Sequence, residues 1–238
     1  MNRRFGVLMT ALMISACSTW QRAQLPAQDS AFAPPASSPG FYFATVNATY
    51  FGGQGRLKGE LGVIVAAPNK LLLEVRGPGG TPVSTFACDG ETVSLFELEG
   101  PRFYIGAASP LSMARLLPLP VEPEVAVDLL RGRLTLPQTE LSYEVKGKAN
   151  RLSGVHPLLG NVVVERLSQD RWVWSLPDEA VRVELSRRSP QGVFQDLMIQ
   201  AGREQVRLRF SELDTTGDPP EAELFKLTPP PGVTPQRL

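Results

Sequence analysis

The sequence predicts a mainly β (α+β) fold, in which one curved antiparallel sheet forms a half-open barrel beneath a short helical lid. Apolar and charged residues alternate over residues 56–67 and 70–76, so each strand has one apolar face and one polar face. The turns that join these runs are too short for a crossover helix, so neighbouring strands pair antiparallel. A short helical pattern interrupts the strands in the middle of the chain, and a large sheet with one apolar face curls.

The strands before the helical pattern begin at residues 41–50, where Tyr42 and Val46 face away from Phe41 and Phe43. Further strands are predicted at 56–67, 70–76, 83–88, 92–96 and 101–105. Glycine-rich turns separate them, which is typical of hairpins. Gly59 lies on the apolar face of its strand, where a glycine favours a hollow or a bend.

Two short helices are predicted near residues 109–132. Ser109 followed by Pro110 is a typical helix start, and a second helix starts near Pro123 and stops at Gly132. The apolar residues that these helices can turn to one side are Met113, Leu116, Leu117, Val125, Leu129 and Leu130. This face would cover the apolar side of the sheet.

The alternation returns after the helices. Strands are predicted at 141–146, 162–164, 171–176, 181–186, 194–200 and 205–210. The whole pattern gives about ten antiparallel strands, and the folded domain is placed at 41–218. The tail at 219–238 is proline-rich and carries one apolar pair, Leu224-Phe225, which we expect to dock on the body.

The N-terminus has the pattern of a secretory signal at residues 1–16, because two arginines precede the apolar run 5–14. Ile14-Ser15-Ala16-Cys17 resembles the bacterial lipobox, which implies cleavage before Cys17 and acylation of that residue; the alternative is an ordinary signal peptide with an incidental Cys17. Residues 17–40 then form the acylated cysteine and a disordered tether. Ser18 in place of aspartate favours the outer membrane, by the rule of the enterobacterial system that the motif resembles.

Composition excludes several function classes. Lys+Arg and Asp+Glu are equal at 24 each, which argues against nucleic-acid binding. His156 is the single histidine and lies beside Pro157, so we expect a loop residue without a catalytic partner. Cys88 shares a strand face with Phe86 and is expected to be a buried, inert thiol. No His, Cys or carboxylate cluster has the spacing of a metal site, so we expect no metal, no cofactor and no enzymatic activity.

Five stretches resemble the LolA/LolB-like superfamily, the periplasmic carriers and outer-membrane acceptors of lipoproteins. They are Leu-Glu-Val-Arg-Gly-Pro-Gly-Gly at 73–80, Thr-Phe-Ala-Cys-Asp-Gly at 85–90, Phe-Tyr-Ile-Gly at 103–106, Leu-Leu-Pro-Leu-Pro at 116–120 and Leu-Leu-Arg-Gly at 129–132. Their succession is most similar to the acceptor, LolB-like members. The resemblance implies a half-barrel that binds acyl chains, a role in lipoprotein localisation in a Gram-negative bacterium, and a periplasmic LolA-like carrier as partner.

The strand alternation and the apolar helix faces give candidate residues for the wall of this implied cavity. The cavity that would bind lipid acyl chains or lipoproteins would be lined by Leu57, Leu61, Val63, Leu71, Leu73, Val75, Val93, Leu95, Met113, Leu117, Leu129, Trp172 and Trp174. By the resemblance, the membrane-delivery loop would contain Pro78 and Gly79, but Gly79 stands where the acceptor has a protruding leucine, so this loop lacks the apolar tip that the acceptor uses for delivery to the membrane.

Alternatives to this hypothesis stay open at the level of sequence. Each cavity candidate is also explained as plain core, and the chain is then a lipid-anchored interaction or assembly module with a packed barrel and no lipid ligand. An envelope hydrolase would need a reactive pair near His156. The arginines at 187–188, 203, 207 and 209 could contact lipid headgroups or form a solvated strand face.

Overall fold

The computed structural model describes residue 32 and residues 38–53, 55–77, 79–117, 119–146 and 149–238. Over these residues the chain forms fourteen strands in a single sheet. The strands are β1 Phe41–Gly52, β2 Gly55–Ala66, β3 Lys70–Arg76, β4 Pro82–Cys88, β5 Thr92–Glu97, β6 Arg102–Ala107, β7 Thr139–Lys146, β8 Ala149–His156, β9 Gly160–Ser168, β10 Arg171–Leu176, β11 Val181–Arg188, β12 Phe194–Ala201, β13 Glu204–Asp214 and β14 Pro235–Arg237. The helices are α1 Pro110–Leu116 and α2 Pro123–Leu130, with short 3-10 turns at Pro177–Glu179 and Ala222–Phe225.

The strand order is β14-β6-β5-β4-β3-β2-β1-β13-β12-β11-β10-β9-β8-β7. Every neighbouring pair is antiparallel except β14 with β6, which is parallel. The sheet therefore ends in two different edge strands, β14 and β7, and does not close. The predicted fold class, a curved antiparallel sheet forming a half-open barrel with a short helical lid, is confirmed.

The register places alternate residues of all these strands on one continuous face. Residues directly opposite each other on paired strands share a face. From β1 towards β10 the successive partners are Ala48, Leu208, Leu197, Leu185 and Trp172. From β2 towards β6 they are Val63, Leu73, Phe86, Leu95 and Tyr104. We call this apolar side the inner face and the opposite side the outer face.

Helices α1 and α2, together called the lid, pack on the inner face. The side chain of Ser109 accepts a hydrogen bond from the amide of Ser112 at 3.3 Å and caps α1, and proline begins each helix, as the sequence predicted. Gly132 follows α2 with a φ of +79°, and a Cβ there would lie 2.2 Å from the carbonyl oxygen of Gly192. No helix in the described part of the chain is both long and apolar enough to cross a membrane.

Two strands were not predicted. The inner positions of β8 are Asn150, Leu152, Gly154 and His156, so the apolar alternation that reveals a strand is missing there. Gly154 lies where a Cβ would come within 2.5 Å of the carbonyl oxygen of Thr139, which explains a glycine inside this strand. The predicted loop at His156 is therefore wrong, because His156 is the last residue of β8.

The other unpredicted strand, β14, belongs to the proline-rich tail. It pairs with β6 through Pro235–Arg237, and the amide of Leu238 donates to the carbonyl of Ile105 at 3.0 Å. Phe225 is fully buried, and the ammonium group of Lys70 lies 5.9 Å from its ring centroid. The tail thus packs along β3 and β6.

Candidate functional site

The inner face is the candidate site, because it gathers the residues that the sequence singled out. By register, all strand candidates share it: Leu57, Leu61, Val63, Leu71, Leu73, Val75, Val93, Leu95, Trp172 and Trp174. Met113 and Leu129 of the lid are buried in the same apolar cluster, and Leu117 packs against it. Ten of the thirteen predicted wall residues therefore lie on the inner face, and the other three lie in or next to the helices that cover it.

Burial along the inner face is graded. Val63 and Leu71, near the β2–β3 turn, are fully buried. Leu73 and Val75 are half-buried, and Leu57 near the β1–β2 turn is 53% exposed. The lid contacts β2, β3 and β5, so it covers one end of the inner face and leaves the other end partly open to solvent.

Side chains of the lid pack directly on the wall at the covered end. Val125, Ala126 and Leu129 of α2 are buried in the cluster that also contains Tyr42 and Leu71. The apolar faces of two helices bury themselves against the apolar wall because this removes both from water. The predicted cavity under the lid stays a prediction, and the lid side chains that pack on the wall would have to move for an acyl chain to enter there.

Polar contacts fasten the C-terminal end of α2 to the segment that enters β1. The hydroxyl of Tyr42 donates to the carbonyl of Leu130 at 3.1 Å. The guanidinium of Arg131 donates from Nε to the carbonyl of Pro39 at 2.6 Å and from Nη1 to the carboxylate of Asp128 at 3.1 Å. The hydroxyl of Ser38 donates to the carbonyl of Arg131 at 2.8 Å. Burial raises the pKa of Tyr42 and lowers the pKa of Arg131. The fastening is thus largely removed from water.

Trp174 connects the wall to the chain that leaves the lid. Its indole Nε1 donates to the carbonyl of Thr135 at 2.9 Å, which satisfies the one polar group of a fully buried side chain. The guanidinium groups of Arg166 and Arg188 both approach Trp172, two residues earlier, with their Cζ atoms 5.2 and 5.8 Å from its ring centroid. Both tryptophans therefore take part in specific contacts as well as in packing.

Phe32 is an exception to the predicted disordered tether. Its side chain is 4% exposed and packs edge-to-face on Trp172 at 5.8 Å and on Tyr143 at 6.2 Å between ring centroids. Sequence reasoning missed this contact, although Phe32 is the only large apolar residue between Leu25 and Phe41 and so differs from its polar surroundings. A residue of the tether region thus covers part of the inner face.

His156 and Cys88 contribute no reactive pair among the described residues. His156 is 8% exposed, its Nδ1 accepts from the amide of Leu158 at 3.3 Å, and burial lowers its pKa. It lines a groove of about 570 Å³ with Glu124, Asp128 and other residues of α2 and the β8–β9 turn. Cys88 is fully buried, and burial raises its pKa to about 11, as expected of an inert thiol. No cluster of potential metal ligands occurs in the described ranges.

Two further grooves lie on the outer face. One of about 380 Å³ is lined in part by Phe43, Ile64 and Leu72, and one of about 600 Å³ in part by Lys58 and Arg207. The predicted delivery loop is only partly described: Gly79 is exposed with a φ of +85° and open space around it, and Pro78 lies outside the described residues. Cys17 and the predicted signal peptide lie outside them as well.

Comparison with known proteins identifies the fold. No family model and no curated protein matches this sequence. Among solved structures, a LolA superfamily protein from Nitrosomonas europaea matches with a TM-score of 0.52 and 9% identity, over 79% of this chain and 90% of that chain. A putative outer membrane lipoprotein-sorting protein domain from Vibrio parahaemolyticus matches with a TM-score of 0.50 and 9% identity, over 77% and 88%. The chain therefore has a LolA-like fold.

Proposed function

We propose that this chain is a lipoprotein of the outer membrane, anchored on the periplasmic side through an acylated Cys17, that binds acyl chains on its inner face. Its role would be in lipoprotein localisation, with a periplasmic LolA-like protein as donor. The observation that carries the proposal is the continuous apolar inner face under a two-helix lid. The LolA-like fold supports it, because one matched structure is a putative outer membrane lipoprotein-sorting protein domain.

The open end of the inner face offers a first contact for an acyl chain. Leu61, Leu73 and Val75 are half-buried there and Leu57 is exposed, so an apolar ligand would remove their remaining surface from water. Each buried methylene contributes about 0.8 kcal/mol. A chain that covers several of these residues would therefore bind without any polar partner.

Entry beneath the lid requires movement of the helices. Val125 and Leu129 occupy the space where the chain would continue, so they must leave the wall as the ligand enters. The contacts that would open are the hydrogen bonds from Tyr42 to Leu130 and from Trp174 to Thr135, since each joins the wall to the chain at the end of α2. Residues 119–122, which precede α2, would adjust with the helices.

The close packing of the lid on the wall also favours a second candidate function. A barrel that stays packed would serve as a lipid-anchored interaction module, working through its outer surface. A titration with a fluorescent fatty acid separates the two, using the full chain with Cys17→Ala so that no lipid of its own competes. Saturable binding that unlabelled palmitate displaces would support acyl-chain binding. Absence of binding at all concentrations up to the solubility limit of the fatty acid would favour the packed interaction module over acyl-chain binding.

A further inference from the structure

Two arginines converge on one indole ring at the end of the inner face. Arg166 lies opposite Trp172 in the β9–β10 pair, with its Cζ 5.2 Å from the indole centroid. Arg188, the last residue of β11, approaches the same ring at 5.8 Å and lies 4.3 Å from the ring centroid of Phe194. Trp172 and Phe194 are themselves buried, so both positive charges lie against an apolar surface.

These two arginines differ from their neighbours in how their charge is balanced. Arg151, Arg171 and Arg182 each form an ion pair with a glutamate. Among the described residues, no carboxylate forms an ion pair with Arg166 or Arg188 within 4.0 Å. Asp170 acts on Arg188 from beyond that distance. Arg188 donates from Nη2 to the carbonyl of Gly132 at 3.3 Å, and its Nε is buried without a hydrogen-bond partner among the residues that the structure describes.

Such a pair carries an electrostatic cost. Burial, followed by the nearby charge of Arg166, lowers the pKa of Arg188. Like charges that are partly removed from water repel more strongly than in solvent, and a buried donor without an acceptor costs free energy. An anion placed between the two guanidinium groups would remove both costs, because arginine binds phosphate and carboxylate groups through several N–H donors at once.

We propose that Arg166 and Arg188 bind the anionic headgroup of an amphiphile whose acyl chain lies on Trp172 and continues along the inner face. This inference rests on the proposed function, and it adds that the ligand is anionic and that its headgroup stays at the Trp172 end. The ring of Phe32 packs on Trp172, with 5.8 Å between the ring centroids, so it marks where the first part of the acyl chain would pack. The ligand would displace Phe32 on binding.

The test compares three probes on the full chain with Cys17→Ala: dodecyl phosphate, the uncharged dodecyl maltoside and inorganic phosphate, all below micelle-forming concentrations. We expect dodecyl phosphate to bind about tenfold more tightly than dodecyl maltoside by isothermal titration calorimetry, since charge-assisted hydrogen bonds supply the difference. Added salt should reduce this advantage. Inorganic phosphate should bind far more weakly than dodecyl phosphate, because it lacks the apolar chain.

Matched variants assign the preference to the two arginines. Arg166→Gln and Arg188→Gln should each remove most of the advantage of dodecyl phosphate and leave the affinity for dodecyl maltoside unchanged. Arg166→Lys should retain part of the advantage, because it keeps the charge. Arg203→Gln, which removes an exposed arginine from the β12–β13 turn, is the control and should bind like the parent chain. Should Arg188→Gln fail to fold by circular dichroism, Arg166→Gln still decides, since its guanidinium contacts an aromatic ring and forms no ion pair in the described structure.

Each contrary result has a distinct meaning. Equal affinity for the phosphate and maltoside probes would overturn the headgroup site and leave acyl-chain binding intact. Inorganic phosphate binding as tightly as dodecyl phosphate would show a site for free phosphate and overturn the amphiphile. Failure of both dodecyl probes to bind would overturn this inference and the proposed function together.

Discussion

The hydroxyl of Tyr42, near the start of β1, donates a 3.1 Å hydrogen bond to the carbonyl of Leu130, the last residue of α2. Tyr42 is fully buried, so this bond joins the wall of the sheet to its lid in a place that water does not reach. Any opening of the lid at this end must break it. The contact therefore couples the stability of the closed form to the access of a ligand.

Replacing Tyr42→Phe should loosen the lid and keep the ring in place. Loss of one intramolecular hydrogen bond lowers the free energy of unfolding by about 1 kcal/mol. Chemical denaturation would measure this loss, and binding of a fluorescent fatty acid should become faster. Tyr50→Phe is the control, because the Tyr50 hydroxyl bonds to Glu204 in an exposed position. Equal effects of both substitutions would contradict a role for Tyr42 in fastening the lid.

Leu72 and Leu73 provide a matched test of the inner face. They are adjacent in β3 and both half-buried, but Leu73 lies on the inner face and Leu72 on the outer face. Leu73→Gln should weaken fatty-acid binding about tenfold, because it places a polar amide against the acyl chain. Leu72→Gln should leave binding unchanged. A fluorescence titration of both variants measures this, and weaker binding by Leu72→Gln would place the ligand elsewhere.

Phe32→Ala should uncover Trp172. The edge-to-face contact would be lost, so tryptophan emission should shift to longer wavelength as water reaches the indole. If Phe32 competes with the acyl chain for this surface, fatty-acid affinity should rise. Emission spectra and a binding titration of the same variant check both points. Lower affinity after the substitution would show that Phe32 contributes to the binding site and does not compete with the ligand.

Gly132→Ala should be costly at the end of the lid. Its φ of +79° is unfavourable for alanine, and the new Cβ would meet the carbonyl oxygen of Gly192 at 2.2 Å. We expect a loss of about 1–3 kcal/mol in the free energy of unfolding. Gly79→Ala has a similar φ of +85° with open space around it, so it bears the conformational cost without the steric one. Equal losses in the two variants would show that the Gly132 neighbourhood relaxes freely.

The Cys88 thiol should be unreactive in the folded chain. Burial raises its pKa from 9.0 to about 11, so the thiol stays protonated and enclosed at pH 8. In the chain with Cys17→Ala, a thiol reagent at pH 8 should label Cys88 only after unfolding. Because the folded pKa lies above the unfolded one, the stabilising contribution is complete below pH 9 and is lost as the pH rises towards about 11. Rapid labelling of the native chain at pH 8 would contradict this burial.

The sequence predicted most of the sheet because its inner positions are apolar and its outer positions are charged or polar. That signal was absent in β8, where Asn150, Gly154 and His156 take inner positions next to Leu152. It was also absent in β14, since three residues that pair with β6 leave no periodic pattern. Both strands exist because of tertiary contacts that no local pattern records.

The candidate site was predictable to a similar degree. Alternation alone places Leu61, Leu73 and Trp174 on one face, so the wall could be read from the chain. The packing of the lid on this wall could not be predicted, because it depends on how closely α2 approaches the sheet. The approach of Arg166 and Arg188 to the same indole ring, that of Trp172, could not be predicted either, because it depends on the register of three strands. Of the flagged arginines, Arg187 and Arg209 pair with Asp196 on the exposed side.

The β14 strand makes the two borders of the sheet unequal. It occupies the free side of β6, where a backbone with unpaired amide and carbonyl groups would otherwise accept another chain. At the opposite border, β7 has β8 as its single strand partner in the described structure and exposes Val145. A strand from another molecule would therefore find only three residues, Pro235–Arg237, at the β14 border and eight, Thr139–Lys146, at the β7 border, so β7 offers the longer template for pairing between copies.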